Sequence, residues 1–328
     1  MQNDIKKIAV FTSGGDAPGM NACIRAVVRT ALYHGRRVSG IMRGYAGMIE
    51  GEIEEMSARS VSNIIHRGGT VLKSARSENF RTAEGMEHAY YNLKAARIDG
   101  VVAIGGDGTF KGAIEFSNKY DIPFIGIPGT IDNDMFGTDF TIGFDTAQNT
   151  VIEAVDKIRD TAHAHDRLFF IEVMGRDAGF IALHTGIAGG AEAILIPETA
   201  TDIEKLIKEL EYGWRRKKSS SIVLVAEGDE AGGAFQIAEM VKSKISSKYD
   251  IRVTVLGHIQ RGGSPTCNDR VLASRLGVAS VEGLLEGRKN MMVGIVNNKI
   301  QFTNFNEITK SKYNINKNLM RIADILSY

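Results

Sequence analysis

Cysteine is almost missing from this sequence. Cys23 and Cys267 are the only two in 328 residues, which excludes a disulfide framework and a cysteine-built metal centre and fits a reducing compartment. Proline is nearly as scarce, at 5 residues, and no low-complexity tract or linker interrupts the chain. Charge of one sign is lacking too. Forty basic residues face 39 acidic ones for a formal net charge of +1, which argues against a broad nucleic-acid-binding face. No apolar run approaches the ~20 residues that span a bilayer. The opening MQNDIKKIAVF leads straight into a strand-like segment without a signal-peptide pattern, so the expectation is a cytoplasmic protein with no membrane or nucleic-acid partner.

Glycine is what the chain has in excess, at 36 residues, and the glycines cluster directly after apolar runs. Those runs are Ile8–Phe11, Gly100–Ile104, Phe124–Ile127, Leu168–Val173, Ala193–Ile196, Ser221–Val225 and Val253–Leu256. Continuous apolar segments of this length suit parallel strands covered on both faces. Amphipathic stretches lie between them at Asn21–His34, Ala147–Arg159 and Asp202–Arg216. The alternation predicts an α/β protein with doubly wound, mostly parallel sheets. Ligands in such sheets bind beyond the carboxyl ends of the strands.

Those ends carry the chemistry. Gly14, Gly15 and Gly19 precede the first helix, either as a backbone cradle for an oxyanion or as a tight strand–helix turn. Gly105-Gly106-Asp107-Gly108-Thr109 sets one carboxylate among three glycines. It is read as polyphosphate space beside a Mg²⁺ ligand, or as a glycine turn with Asp107 as helix N-cap. Pro128-Gly129-Thr130-Ile131-Asp132-Asn133-Asp134 holds two carboxylates two residues apart. In extended chain they point the same way, so one could take a hydroxyl proton while the other tunes it; the alternative is an Asx-rich turn. Met174-Gly175-Arg176, Glu227 and His258-Ile259-Gln260-Arg261 bring sugar- and phosphate-binding groups to further strand ends.

Two pairs of arginines fit less simply. Arg167 and Arg252 each begin a strand whose far end, roughly 20 Å away, holds other candidates. They are either structural or serve a pocket on a neighbouring subunit, which needs a symmetric oligomer. Arg25 and Arg29, four apart on the first helix, form a solvated basic stripe or an anion site away from the strand ends.

The motifs TSGGDAPGMN, IGGDGT, PGTIDND, TIGFDTA, EVMGR, AGGAE and LGHIQRGGSP, in this order, resemble the bacterial-type ATP-dependent phosphofructokinase family from about Lys6 to Leu284. The resemblance implies phosphorylation of fructose 6-phosphate, the committed step of glycolysis. It implies two similar α/β domains with the active site in the cleft between them: residues 1–142 with 256–304 as the larger ATP-binding domain, and 143–255 with 305–328 as the smaller sugar-phosphate domain. Asp132 looks like the catalytic base, with Thr130, Asp134, Arg76 and Arg176 in catalytic support. Gly15, Arg76, Ser77, Gly106, Asp107, Gly108 and Thr109 match ATP positions, and Asp107 the Mg²⁺ position. Thr130, Ile131, Asp132, Met174, Gly175, Arg176, Glu227, His258, Ile259, Gln260 and Arg261 match substrate positions. Arg167 and Arg252 match arginines that the family donates from an adjacent subunit, implying a homotetramer. Arg25, Arg29, Arg59, Arg159, Gly190, Glu192, Arg216 and Lys218 match an effector site for ADP or phosphoenolpyruvate. The segment Ala58-Arg59-Ser60-Val61-Ser62-Asn63 departs from that family's Arg-Tyr-Ser-Val-Ser-Asp. Pyrophosphate-dependent members typically have Asp at the position of Gly108 and Lys at that of Gly129, so ATP is the expected donor. The competing readings are a pyrophosphate-dependent enzyme, a lipid or NAD kinase sharing GGDGT, and a catalytically silent sugar-phosphate sensor.

Overall fold

Apolar runs alternating with amphipathic stretches fold, in this computed structural model, into strands and helices over residues 5–165, 167–215, 221–245, 250–308 and 315–327, which are the residues described. In chain order they are β1 (Lys7–Thr12), α1 (Met20–Tyr33), β2 (Arg37–Ile41), α2 (Tyr45–Glu50), β3 (Ile53–Met56), α3 (Ala83–Ala95), β4 (Gly100–Gly105), α4 (Asp107–Tyr120), β5 (Phe124–Pro128), α5 (Phe144–Ala164), β6 (Arg167–Val173), α6 (Phe180–Ala188), β7 (Ala193–Leu195), α7 (Ile203–Arg215), β8 (Ser221–Ala226), α8 (Ala234–Lys244), β9 (Asp250–Val255), α9 (Cys267–Leu285), β10 (Met291–Val296), β11 (Lys299–Asn304) and α10 (Lys317–Ser327). Among them no helix is long and apolar enough to cross a membrane.

The chain divides into two compact units. The larger takes the residues up to Ile131, Met135–Thr146 and the stretch from Arg261; the smaller takes Asp132–Asp134, Ala147–Gln260 and the C-terminal helix. The larger unit holds a seven-stranded sheet in the order β11-β10-β5-β4-β1-β2-β3. Its five central strands run parallel, and β3 and β11 are antiparallel edges. β1 and β4 are fully or almost fully buried, as strands covered on both faces must be. One core fills the face under α3 and α4, with Phe11, Phe110, Phe116 and Phe124 at its centre. On the other face α9 packs against α1, and Gly277 makes that approach close, since a methyl there would press on Ala26.

The smaller unit holds the parallel sheet β7-β8-β6-β9, with Leu168, Phe170, Val223 and Val225 packed under α7 and α8. Here β9 begins at Asp250, three residues before the apolar run that signals it. Arg252 therefore lies inside the strand rather than at its start. An edge strand tolerates alternating polar residues because one of its sides stays open to solvent. Similarly, α5 runs from Phe144 to Ala164, longer at both ends than its amphipathic signal.

Candidate active site

In the larger unit, successive strands leave β1 in opposite directions, with β2 on one side and β4 on the other. That is the switch point at which loops splay apart and leave a crevice. The amide of Ser13 donates to the Ile104 carbonyl at 3.0 Å, holding the two loops side by side. Thr109 Oγ1 donates to the Ser13 carbonyl at 3.4 Å, and Tyr45 Oη donates to the Thr109 carbonyl at 2.6 Å. Gly105 must be glycine here, because a methyl would overlap Thr109 and Ser13. Gly108 faces open space, with nothing within 4 Å of where a methyl would stand.

Asp107 is not the N-cap of α4. Gly106 takes that place in an extended conformation, and Asp107 is the first residue of the helix. Its carboxylate lies in the favourable field of the helix N-terminus, half-buried and 2.7 Å from Lys111 Nζ one turn along.

The segment carrying Arg76 and Ser77 is tied to this crevice by side chains of the first motif. Asn21 Nδ2 donates to the carbonyls of Arg67 and Gly68 at 3.0 and 3.1 Å, and its Oδ1 accepts from the Val71 amide at 2.7 Å. Thr12 Oγ1 donates to the Lys73 carbonyl, and Ser74 Oγ donates to the Gly14 carbonyl at 2.6 Å. Arg76 itself is exposed, while Ser77 Oγ accepts from the Phe80 amide at 3.3 Å. Arg261 also arrives here. Its guanidinium covers Gly15, where a methyl would overlap it, and Nη1 donates to the Asp16 carbonyl at 3.4 Å.

After β5 the chain bends, Gly129 bridges to Ile142, and Thr141 Oγ1 donates to the Thr130 carbonyl at 2.6 Å. Ile131, Asp132, Asn133 and Asp134 are all buried. Asn133 has φ 53°. That left-handed residue breaks the two-residue repeat of extended chain, so the directions of the two carboxylates do not follow from their spacing.

Sequence reasoning missed a buried carboxylate nearby. Asp269 Oδ1 accepts from the Gly143 amide at 2.8 Å, and Oδ2 accepts from the amide and the hydroxyl of Thr146 at 2.8 and 2.5 Å. It thereby fixes the start of α5. Burial pushes this carboxyl up to about 6, while the bonds from Thr146 and Gly143 pull the other way. The pattern Thr266-x-x-Asp269 at the start of α9 was the available signal, since Thr266 caps the helix by accepting from the Asp269 amide.

In the smaller unit the ends of β6, β8 and β9 lie together. Glu227 Oε1 accepts from the Arg176 amide at 2.7 Å and from the Gly175 amide at 3.4 Å. Arg176 sits at φ 54° and is exposed; its backbone is held in the left-handed region by that carboxylate. Gly228 is required alongside, because a methyl would overlap the Arg176 carbonyl. His258 and Ile259 are exposed on the 3₁₀ turn Gly257–Arg261. Gln260 is fully buried: its Oε1 accepts from the Met174 amide at 3.3 Å and its Nε2 donates to the Gly257 carbonyl at 3.0 Å. Its amide is thus engaged with the protein's own backbone.

At the opposite end of these strands, Arg167 Nε and Arg252 Nη2 both donate to Asp250 Oδ2, at 2.8 and 2.9 Å. The residues matched to the effector site are divided between the two units. In the larger unit Arg25 and Arg29 lie on α1, with Arg29 exposed, and Arg59 is exposed in a turn where its carbonyl accepts from Ser62 Oγ. In the smaller unit Arg159 Nη2 donates to the carbonyls of Gly189 and Gly190, and Glu192 Oε2 accepts from the Ile222 amide. Arg216 and Lys218 lie outside the described residues.

A protein-family model described as Phosphofructokinase matches residues 7–284. The chain belongs to the phosphofructokinase family. Among curated phosphofructokinases, the ATP-dependent 6-phosphofructokinase 2 of Bacteroides thetaiotaomicron is 54% identical over 98% of this chain and 99% of its own length. The ATP-dependent 6-phosphofructokinase 1 of Thermus thermophilus is 56% identical over 98% of this chain and 100% of its own. Among solved structures, phosphofructokinase from Saccharomyces cerevisiae superposes with TM-score 0.88 at 37% identity. It covers 92% of this chain, which spans 45% of the yeast chain. A pyrophosphate-dependent phosphofructokinase from Marinobacter aquaeolei gives TM-score 0.82 at 26% identity, covering 98% of this chain and 91% of its own. The fold is therefore shared with a pyrophosphate-dependent enzyme, so the fold alone does not choose the phosphoryl donor.

Proposed function

We propose that this chain transfers the terminal phosphoryl group of ATP to the 1-hydroxyl of fructose 6-phosphate, giving fructose 1,6-bisphosphate and ADP. The observation that carries this reading is the convergence of the Gly14–Gly15 loop, the Gly106–Thr109 helix start and the Thr130 loop at the ends of three adjacent parallel strands. The full-length similarity to ATP-dependent 6-phosphofructokinases supports it. The larger unit would bind ATP through Gly15, Arg76, Ser77, Gly106, Asp107, Gly108 and Thr109. The smaller would bind the sugar phosphate through Met174, Gly175, Arg176, Glu227, His258 and Ile259, joined by Thr130, Ile131 and Arg261. In this reading Gln260 braces the Met174 loop from beneath.

Asp132 takes the proton of the 1-hydroxyl as that oxygen bonds to phosphorus. The bond from phosphorus to the bridging oxygen breaks, and its electron pair leaves with ADP. Thr130 and Asp134 orient the acceptor, and Arg76 and Arg176 offset charge on the phosphoryl oxygens, which is the main demand of phosphoryl transfer. Asp107 suits Mg²⁺. A single half-exposed carboxylate beside the open space at Gly108 matches the way Mg²⁺ is held by one or two carboxylates together with substrate phosphates. When bound, Mg²⁺ would supply charge neutralisation on the nucleotide phosphates.

ATP is favoured over pyrophosphate by two glycines. Gly108 leaves room for the rest of a nucleotide, where a carboxylate would crowd and repel it. Gly129 is buried, and even a methyl there would press on Ile104 and Met20 at 3.0 and 3.1 Å, leaving no room for a lysine. Arg167 and Arg252 would reach the substrate of a neighbouring subunit in a homotetramer. An ADP- or phosphoenolpyruvate-type anion would bind weakly at the effector residues.

A coupled assay with fructose 6-phosphate and Mg-ATP, run beside Asp132→Asn, tests the mechanism. Removing a general base should cut turnover by ~10²–10⁴-fold. A variant that keeps near-full rate would show that Asp132 is not the base.

A further inference from the structure

One carboxylate holds two arginines at the leading edge of the smaller sheet. β6 and β9 run parallel with Arg167 directly opposite Asp250 and Phe169 opposite Arg252. Asp250 Oδ2 accepts from both guanidiniums, at 2.8 Å from Arg167 Nε and 2.9 Å from Arg252 Nη2. Each arginine spends a single N–H on this bond. A guanidinium carries five N–H donors in a fixed plane, so among the described residues most of each fork is left for another ligand. The side chains stay accessible, at 25% exposure for Arg167 and 53% for Arg252. Without a counter-charge two cations this close would repel and turn apart. The hydrogen bond from Arg167, with a smaller share from Arg252, holds the Asp250 carboxyl below the usual carboxylate range, so it is charged at neutral pH.

We infer that Asp250 is a positioning residue for the sugar phosphate: it sets Arg167 and Arg252 side by side as a preformed clamp for one phosphate dianion. This rests on the reading that the two arginines bind fructose 6-phosphate. Asp250 never touches the substrate and acts only through the arginines. Its charge also opposes the incoming phosphate, so two effects compete. Both arginines are partly exposed in the single subunit, which weakens that repulsion. The orientation is local and direct, because an anchored fork loses less freedom when the phosphate arrives. Orientation therefore dominates.

The test is steady-state kinetics of Asp250→Ala, Asp250→Glu and Arg252→Ala on the full-length protein. For Asp250→Ala the expected result is a rise of about tenfold in KM for fructose 6-phosphate, the size of one charge-assisted hydrogen bond. Turnover and the KM for ATP should stay within about twofold, since the variant removes binding that is uniform between ground and transition states. Asp250→Glu should recover part of the loss. A purely structural role would move turnover and the ATP constant as well and would overturn the inference. An unchanged or lowered KM for fructose 6-phosphate would overturn it too, leaving the carboxylate as a competing charge. Arg252→Ala separates the two layers. If it leaves that KM unchanged, the substrate role of the arginines fails and the clamp fails with it. If it raises KM while Asp250→Ala does not, the positioning role alone is wrong.

Discussion

Arg261 lies across Gly15 so closely that its guanidinium occupies the place a side chain would need. One residue comes from the loop after β1 and the other from the turn before α9, and the sequence motifs assign them to different substrates. Their contact links the nucleotide loop to a group proposed to bind the sugar phosphate.

Gly15→Ala should therefore act through Arg261. The methyl would push the guanidinium aside, and losing one charged hydrogen bond to substrate costs about ten- to a hundredfold in kcat/KM. The effect should appear in the fructose 6-phosphate dependence as well as in that for ATP. Kinetics with each substrate varied in turn would check this. A change confined to ATP would mean that Arg261 simply moves away.

Asp269 gives a pH signature in stability. Its carboxyl is raised from 3.8 to about 6 by burial, so between those values the folded state holds more protons than the unfolded one. Stability from this group is fully present below the unfolded value and is lost as pH rises through about 6, with a total on the order of 3 kcal/mol. Asp269→Asn should destabilise at every pH, because its amide nitrogen would oppose backbone donors, at about 1–3 kcal/mol. The deficit of the variant should shrink as pH rises from about 4.5 to about 7.5. Denaturant melts of both proteins across that range would measure it, and a deficit that grows with pH would contradict the assignment.

Gly108→Asp tests donor choice. The new carboxylate would stand in the open space at the start of α4, beside Asp107. Activity with Mg-ATP should drop by about 10²-fold, since repulsion of a polyphosphate in a partly dehydrated crevice is worth several kcal/mol. The fold should persist, because the position is exposed and unobstructed. Donor-dependent rates and a melting curve would separate the two effects.

The effector residues predict weak binding. Arg159 already donates to the Gly189 and Gly190 carbonyls, and Arg59 sits in a turn stabilised by Ser62. An incoming anion must compete with the first of these contacts and recruit the second. Calorimetric titration of ADP or phosphoenolpyruvate, with the active site saturated, should give a dissociation constant near the millimolar range, about −4 kcal/mol. Tight binding would require a better-formed site than these contacts describe.

Of the parallel strands, β2 and β10 are largely buried yet lie outside the predicted runs, while β1, β4, β5, β6 and β8 were legible as continuous runs because both of their faces are apolar. The antiparallel margins were not. β3, Ile-Glu-Glu-Met, exposes its two glutamates, and β11 pairs outside the parallel set, so neither shows that pattern. The candidate loops were legible as strand ends from their glycines and aspartates, and the structure places them directly after β1, β4 and β5. Asn21, Asp250 and Asp269 were not, because each acts on a segment distant in sequence, such as Val71 for Asn21 and Gly143 for Asp269. Local patterns do not encode such pairings. Arg167 and Arg252 stand out in the sequence by their distance from the strand ends, but the carboxylate that joins them follows only from the β6–β9 register.

The most direct test of the central claim is to incubate the protein with fructose 6-phosphate and either Mg-ATP or Mg-pyrophosphate, and to follow the sugar by phosphorus NMR. The account predicts a new phosphate ester at C1 and stoichiometric ADP with ATP, and a far slower reaction with pyrophosphate. Equal or faster transfer from pyrophosphate, or no ester at C1 with either donor, would contradict it.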